Sequence, residues 1–118
     1  MVNEQVKIEK LAFAFAKKTI DLATSISDKD IRFTIGKQLL RSGTSIGANI
    51  EEAQGGISRK DFIHGMNIAK KEARETLYWL RLLNEFDFVN KKDLETRTTE
   101  CKELVNILTA IVKTSQGG

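Results

Sequence analysis

At 118 residues the chain is read as one domain, residues 1–118, large enough to bury roughly two-thirds of its unfolded surface without staples. Apolar residues make up 41% and charged residues 30%, a globular balance, and the net charge of +3 is mildly basic, permitting nucleic-acid contact without demanding it. A single cysteine, Cys101, excludes an internal disulfide and a cysteine metal cluster. No apolar run approaches the roughly 18 residues of a membrane span. MVNEQVKIEK at the start lacks the apolar region of a secretory leader, so a cytoplasmic location is expected and no membrane partner.

Apolar residues recur at helical steps in four segments, and no strand pattern competes. The first helix is expected from Glu4 to Ile26, with Ile8, Leu11, Phe15, Leu22 and Ile26 as its stripe and Val6, Phe13 and Ile20 widening it. The second runs from Lys29 to Gln54, where Ile35, Leu39, Ile46, Ile50 and Ala53 share a face. Ser27 or Asp28 can cap its start, and Gly55-Gly56 can supply a left-handed residue at its end. The third runs from Arg59 to Asn84 along Phe62, Met66, Ala69, Ala73, Leu77, Leu80 and Leu83. Ser58 with Asp61 forms a weaker version of the capping box, because aspartate stands where glutamate is usual. Phe86 and Phe88 in the following segment are expected to fold back as a lid on one end. The fourth runs from Lys91 to Thr114 through Leu94, Cys101, Leu104, Leu108 and Ile111, capped by Asn90, with residues 114–118 frayed. Short connections predict antiparallel neighbours. The expected fold class is an all-α, up-down-up-down four-helix bundle.

Two rows on the second helix exceed what an amphipathic helix needs. Arg41, Ser45, Asn49 and Glu52 fall within an arc of roughly 80° beside the apolar stripe. They read either as a solvated flank or as a half-buried hydrogen-bond row that sets helix register or a subunit contact. Pairing across the Gly55-Gly56 turn brings Arg41 near Glu72 or Glu75, and Asn49 near His64. Gly36, Gly43 and Gly47 lie within about 40° on the opposite flank, each costing a helix about 1 kcal/mol against alanine. Close approach of another helix, from this chain or a second subunit, accounts for them.

The third helix is segregated by charge. Arg59, Lys60, Lys70, Lys71, Arg74 and Arg81 fall within about 120°, with Tyr78 inside the arc as a stacking group. The arc reads either as a solvated face or as a phosphate-contacting surface. Asp61, Glu72 and Glu75 lie on another side, near Ile68, Trp79 and Leu82. An exposed Trp79 there suggests a partner surface. His64 is the only histidine, so no metal site is expected, and Ser45 has no base at helical spacing to activate it. No phosphate-cradling loop and no catalytic carboxylate pair is recognisable, so neither an enzyme nor a cofactor is expected.

The run SIGANIEEA, then GG-x-S-R-K-D-F and A-K-K-E-A-R-E-T-L-Y-W-L, resembles the four-helix-bundle family of 23S rRNA-intervening sequence proteins. The motif rests on Ser45-Ile46, Asn49-Ile50, Glu52, Ser58, Arg59, Lys60, Phe62 and Glu75. The family often has proline where this chain has Gly47, and glycine where it has Ala53. The resemblance implies a bacterial bundle that assembles as a ring, typically a homopentamer. It also implies a basic surface that in some members, including the accessory protein of diversity-generating retroelements, binds nucleic acid or a reverse transcriptase. Together the residues and the resemblance give two expected functions. One is a non-enzymatic RNA- or DNA-associated protein acting through Lys60, Lys70, Lys71, Arg74 and Arg81. The other is an adaptor ring that binds a protein partner. Arg41, Ser45, Asn49, Glu52, Glu75 and Trp79 are expected to serve oligomer or polar-row contacts.

Overall fold

Helix α1, Val2–Thr24, turns Ile8, Ala12, Phe15, Thr19 and Leu22 inward at three- and four-residue steps. The computed structural model describes residues 2–117, with side chains from residue 7 onward. Val6 and Gly118 therefore lie outside the side chains described. α1 stops two residues before the expected Ile26. The Ser25 hydroxyl donates to the Leu22 carbonyl at 2.7 Å, taking the acceptor that the Ile26 amide would use to carry the helix on. Phe13 and Ile20 do not widen the buried stripe. They are 61% and 43% exposed, because they lie on the outer flank of α1, past the line on which α2 touches it.

Helix α2, Lys29–Gln54, is capped by Asp28, whose carboxylate accepts from the Ile31 amide at 2.9 Å. Its end differs from expectation. Gly55 has φ of −84°, and no described glycine has a positive φ. Close packing accounts for Gly56, whereas a Cβ on Gly55 would meet nothing nearer than the Glu52 carbonyl oxygen at 3.6 Å. A Cβ on Gly56 would stand 3.0 Å from the Ala53 carbonyl oxygen and 3.1 Å from the Asp61 Cβ.

Helix α3, Arg59–Leu83, is capped by the Ser58 hydroxyl, which accepts from the Asp61 amide at 3.1 Å. Helix α4, Lys91–Gly117, is capped by Asn90, which accepts from the Asp93 amide at 2.9 Å. It continues past Thr114, since nothing in Ser115-Gln116 breaks a helix. In the connection between α3 and α4, Phe88 packs half-buried on the core and its carbonyl accepts from the Ser27 amide at 2.9 Å. Phe86 stacks on it at 5.5 Å but remains half-exposed, so only one ring of the expected lid seals the end. The Lys91 ammonium ties this segment by donating to the Asn84 and Phe86 carbonyls.

Each helix packs on two neighbours, α1 on α2 and α4, and α3 on α2 and α4, while among the described residues the diagonal pairs bring no Cα atoms within 8 Å. The result is an all-α bundle of extents 46 × 21 × 19 Å, with no strand among the described residues. The glycine row fits α2 against α1 of the same chain and against Ile26 just beyond the end of α1. A Cβ on Gly36 would stand 3.0 Å from Ile26 Cδ1, one on Gly43 2.6 Å from Thr19 Cγ2, and one on Gly47 3.5 Å from Ala12 Cβ. Positions rising along α2 thus meet positions falling along α1.

Leu39, Ile46 and Ile50 from α2, Met66 and Leu80 from α3, and Leu94 and Leu108 from α4 fill the middle with no exposure. Cys101 is part of this layer. Its thiol lies 3.2 Å from the Ala73 carbonyl, and burial pushes its pKa up to about 12. Three hydroxyls are fully buried: Thr19, Ser42 and Thr76. The Thr76 hydroxyl reaches from α3 to the Ser42 hydroxyl on α2 at 2.8 Å, and it also lies 2.8 Å from its own helix's Glu72 carbonyl.

Thr19 presses its methyl against Gly43, and its hydroxyl has no hydrogen-bond partner among the described residues. A buried unpaired hydroxyl costs about 1–3 kcal/mol, and valine keeps its shape. Thr19→Val is therefore expected to raise the urea midpoint by the equivalent of about 1 kcal/mol or more. An unchanged or lowered midpoint would show that the hydroxyl is satisfied.

Candidate nucleic-acid interface

α3 carries its cations on the side that the packing leaves free. Lys60, Lys71, Arg74 and Arg81 are exposed, as is Arg59, and Lys70 is half-buried. Lys60 and Arg81 are 21 positions apart, so the row extends about 30 Å along the helix axis. None of these side chains forms an ion pair among the described residues. Tyr78 stands in the same row, 53% exposed, with its ring edge-on to Trp79 at 5.0 Å. Lysine and arginine heads held by a rigid helix beside an open aromatic face suit phosphates and unstacked bases.

The flank toward α2 is organised around Glu75. Arg41 reaches across from α2 and pairs with Glu75 and, at 3.1 Å, with Glu72. The Trp79 indole N–H donates to the same Glu75 carboxylate at 3.0 Å. Arg41, expected near Glu72 or Glu75, reaches both. Trp79 is not the exposed anchor expected from its off-stripe position. It is half-buried, because its indole turns back toward Glu75 and packs on the core. The hydrogen bond from Trp79 holds the Glu75 carboxyl below its ordinary pKa, and the Arg41 guanidinium and the charge of Lys71 act in the same direction. Glu75 in turn raises the Arg41 pKa through its hydrogen bond.

A lowered carboxyl pKa fixes the sign of a pH effect. The cluster's contribution is complete above the unfolded carboxyl value of about 4.3 and disappears as pH falls through the lower folded value. Glu75 and Arg41 are a third to a half exposed, so solvent screening holds that contribution below about 1 kcal/mol. The stability gap between wild type and Glu75→Gln should be measurable at pH 7 and close below about pH 4. Trp79, the only tryptophan, reports it by fluorescence. A gap that widens in acid would contradict this assignment.

The other members of the polar row turn to their own helix. The Ser45 hydroxyl donates to the Arg41 carbonyl at 2.7 Å, and the Asn49 amide donates to the Ser45 carbonyl at 2.8 Å. Both are half-buried and Glu52 is exposed, so within this row Arg41 alone makes a side-chain bridge to α3 among the described residues. Asn49 and Glu52 line a shallow depression with Asp61 and His64 near the Gly55-Gly56 turn, the neighbourhood expected for Asn49. Among the described residues no three His, Cys, Asp or Glu side chains are grouped to hold a metal, and no helix is long and apolar enough to cross a membrane.

A model of the 23S rRNA-intervening sequence protein family matches residues 4–110, nearly the whole bundle. The chain belongs to that family. A crystal structure of a Bacteroides thetaiotaomicron protein of unknown function from the S23 ribosomal protein family is 38% identical, with a TM-score of 0.86. The match covers 93% of this chain and 98% of that one. No curated protein matches.

The resemblance carried by SIGANIEEA and the Ser58 start of α3 is therefore a family relationship. Three features escaped the sequence reading. Gly65 stands alone in α3, without a helical row to draw attention to it. Ser42 and Thr76 are ordinary hydroxyls until the two helices are in register. Phe33 on α2 and Phe13 on α1 carry no mark separating an exposed phenylalanine from a core one.

Proposed function

We propose that this member of the family is a non-enzymatic, homo-oligomeric, cytoplasmic protein that associates with RNA or DNA through the basic side of α3. One observation carries the reading. Lys60, Lys70, Lys71, Arg74 and Arg81 share a side about 30 Å long, free of ion pairs among the described residues, with Tyr78 open beside them. Arg41 engages Glu72 and Glu75, two acids of the same helix, and so reduces their repulsion of a phosphate backbone. No base-reading element accompanies the row, so sequence preference is low. The bundle is antiparallel and up-down-up-down, a reading supported by the reversed order of the α1–α2 contacts. Copies assemble into a ring, most simply a pentamer, which repeats the row and adds avidity.

A protein-binding adaptor ring is the second reading, favoured by Tyr78 exposed edge-on to half-buried Trp79. Fluorescence anisotropy with duplex and single-stranded RNA and DNA at low salt separates the two. Lys71→Glu with Arg74→Glu is expected to weaken binding by roughly tenfold or more. No binding at tens of micromolar, or binding indifferent to the double reversal, would leave the adaptor reading ahead.

A further inference from the structure

The Tyr78 ring is open to solvent, yet it is held in place. It meets Trp79 edge to face, with centroids 5.0 Å apart and planes at 73°. Such a contact leaves at least one face of the Tyr78 ring uncovered by Trp79. Trp79 is fixed in turn, packed on the core with its indole N–H on the Glu75 carboxylate at 3.0 Å, and Glu75 pairs with Arg41 from α2. A ring set in this way has little freedom left to lose when another ring stacks on it.

Beside the ring is a depression of about 180 Å³, lined by Tyr78, Arg81, Leu82 and Glu85. That is below the roughly 300–1,000 Å³ of a pocket that encloses a small-molecule ligand, and it suits a single planar ring. One cation and one carboxylate line it, so a neutral group fits it better than a phosphate does. Phosphate partners lie to either side. Arg74 stands four residues before Tyr78 and Arg81 three residues after, about 6 Å and 4.5 Å along the axis on the same side of α3. Neither forms an ion pair among the described residues. A neutral niche with an open aromatic face, set between two guanidinium groups, matches a nucleotide: a base in the middle and a phosphate on each side.

We propose that Tyr78 is a stacking platform for one unpaired base of single-stranded RNA or DNA, the base filling the Leu82–Glu85 depression and Arg74 and Arg81 holding the phosphates to either side. Glu85 accepts from an N–H group on the base edge, which every base carries. The proposal rests on the nucleic-acid reading and names its preferred form. Single strands are favoured over duplex, because paired bases are already stacked and cannot lie on the ring. Stacking tolerates any base, so low sequence preference is kept.

The test compares, by fluorescence anisotropy at low salt, an oligothymidylate of about twelve residues with a strand of the same length whose residues are abasic. Wild type is expected to bind the thymidylate roughly tenfold tighter. Tyr78→Ala should erase that difference. Tyr78→Phe should retain it, because stacking needs the ring and not the hydroxyl. Both variants should keep the helical circular dichroism of wild type, since the side chain is more than half exposed. Equal binding of the two strands by wild type, or a difference that survives Tyr78→Ala, overturns the platform and leaves the phosphate-contacting row standing. So does binding to duplex alone. A difference lost in Tyr78→Phe assigns the contact to the hydroxyl and overturns stacking. Failure to bind either strand or duplex overturns the platform and the nucleic-acid reading together, and leaves the open ring to a protein partner.

Discussion

Gly65→Ala is expected to destabilise the bundle by about 2 kcal/mol, although alanine is the better helix former by about 1 kcal/mol. The added Cβ would stand 2.6 Å from the Ala53 Cβ and 3.0 Å from the Ala53 Cα. Both atoms are fixed to the α2 backbone, so no side-chain rotation relieves the overlap and the helices must part near their turn. Overpacking of this kind costs about 1–3 kcal/mol or more, enough to outweigh the propensity gain. Ala53→Gly removes the nearer atom. Combined with Gly65→Ala it should recover about 1 kcal/mol beyond additivity in a urea double-mutant cycle. Additive single effects would show that the helices yield without strain.

The second large effect is predicted for the buried hydroxyl pair. Ser42 and Thr76 hydrogen-bond at 2.8 Å where neither is exposed to water. Thr76→Val keeps the shape but leaves Ser42 with only the Leu39 carbonyl, at 3.5 Å. That change should cost about 2 kcal/mol, the penalty of a buried group left without a good partner. Ser42→Ala with Thr76→Val removes both polar groups and should be nearly neutral by comparison. Thermal melts of the three variants decide this. A double variant as unstable as the sum of the singles would contradict it.

These two sites show where sequence reading reaches and where it stops. Helix existence and most boundaries were legible, because Leu39, Ile46 and Ile50 on α2 and Met66, Ala69 and Ala73 on α3 repeat at the helical period and meet caps at Asp28, Ser58 and Asn90. The glycine row was legible for the same reason, and its partner proved to be α1 of the same chain. Gly65 and the Ser42–Thr76 pair belong to no row. Their meaning comes from the register between α2 and α3, which periodicity on one helix does not contain. Phe13 and Ile20 were misplaced because apolarity alone does not distinguish a core flank from an open one. The distinction rests on how far round α1 the glycine face of α2 reaches. For the candidate site, the basic side of α3 was legible from helical angles, whereas the inward turn of Trp79 depended on the position of the Glu75 carboxylate.

The claim that α3 contacts a phosphate backbone is tested most directly by the salt dependence of binding. Each phosphate neutralised by a lysine or arginine releases counterions, so the logarithm of the affinity should fall linearly with the logarithm of salt concentration. An anisotropy titration of wild type against duplex RNA across a salt series is expected to give a slope of about −3 to −5, for several of the five cations engaged, and Lys71→Glu/Arg74→Glu should flatten it by about 2. A flat salt dependence, or a slope that the double variant leaves unchanged, would contradict the account.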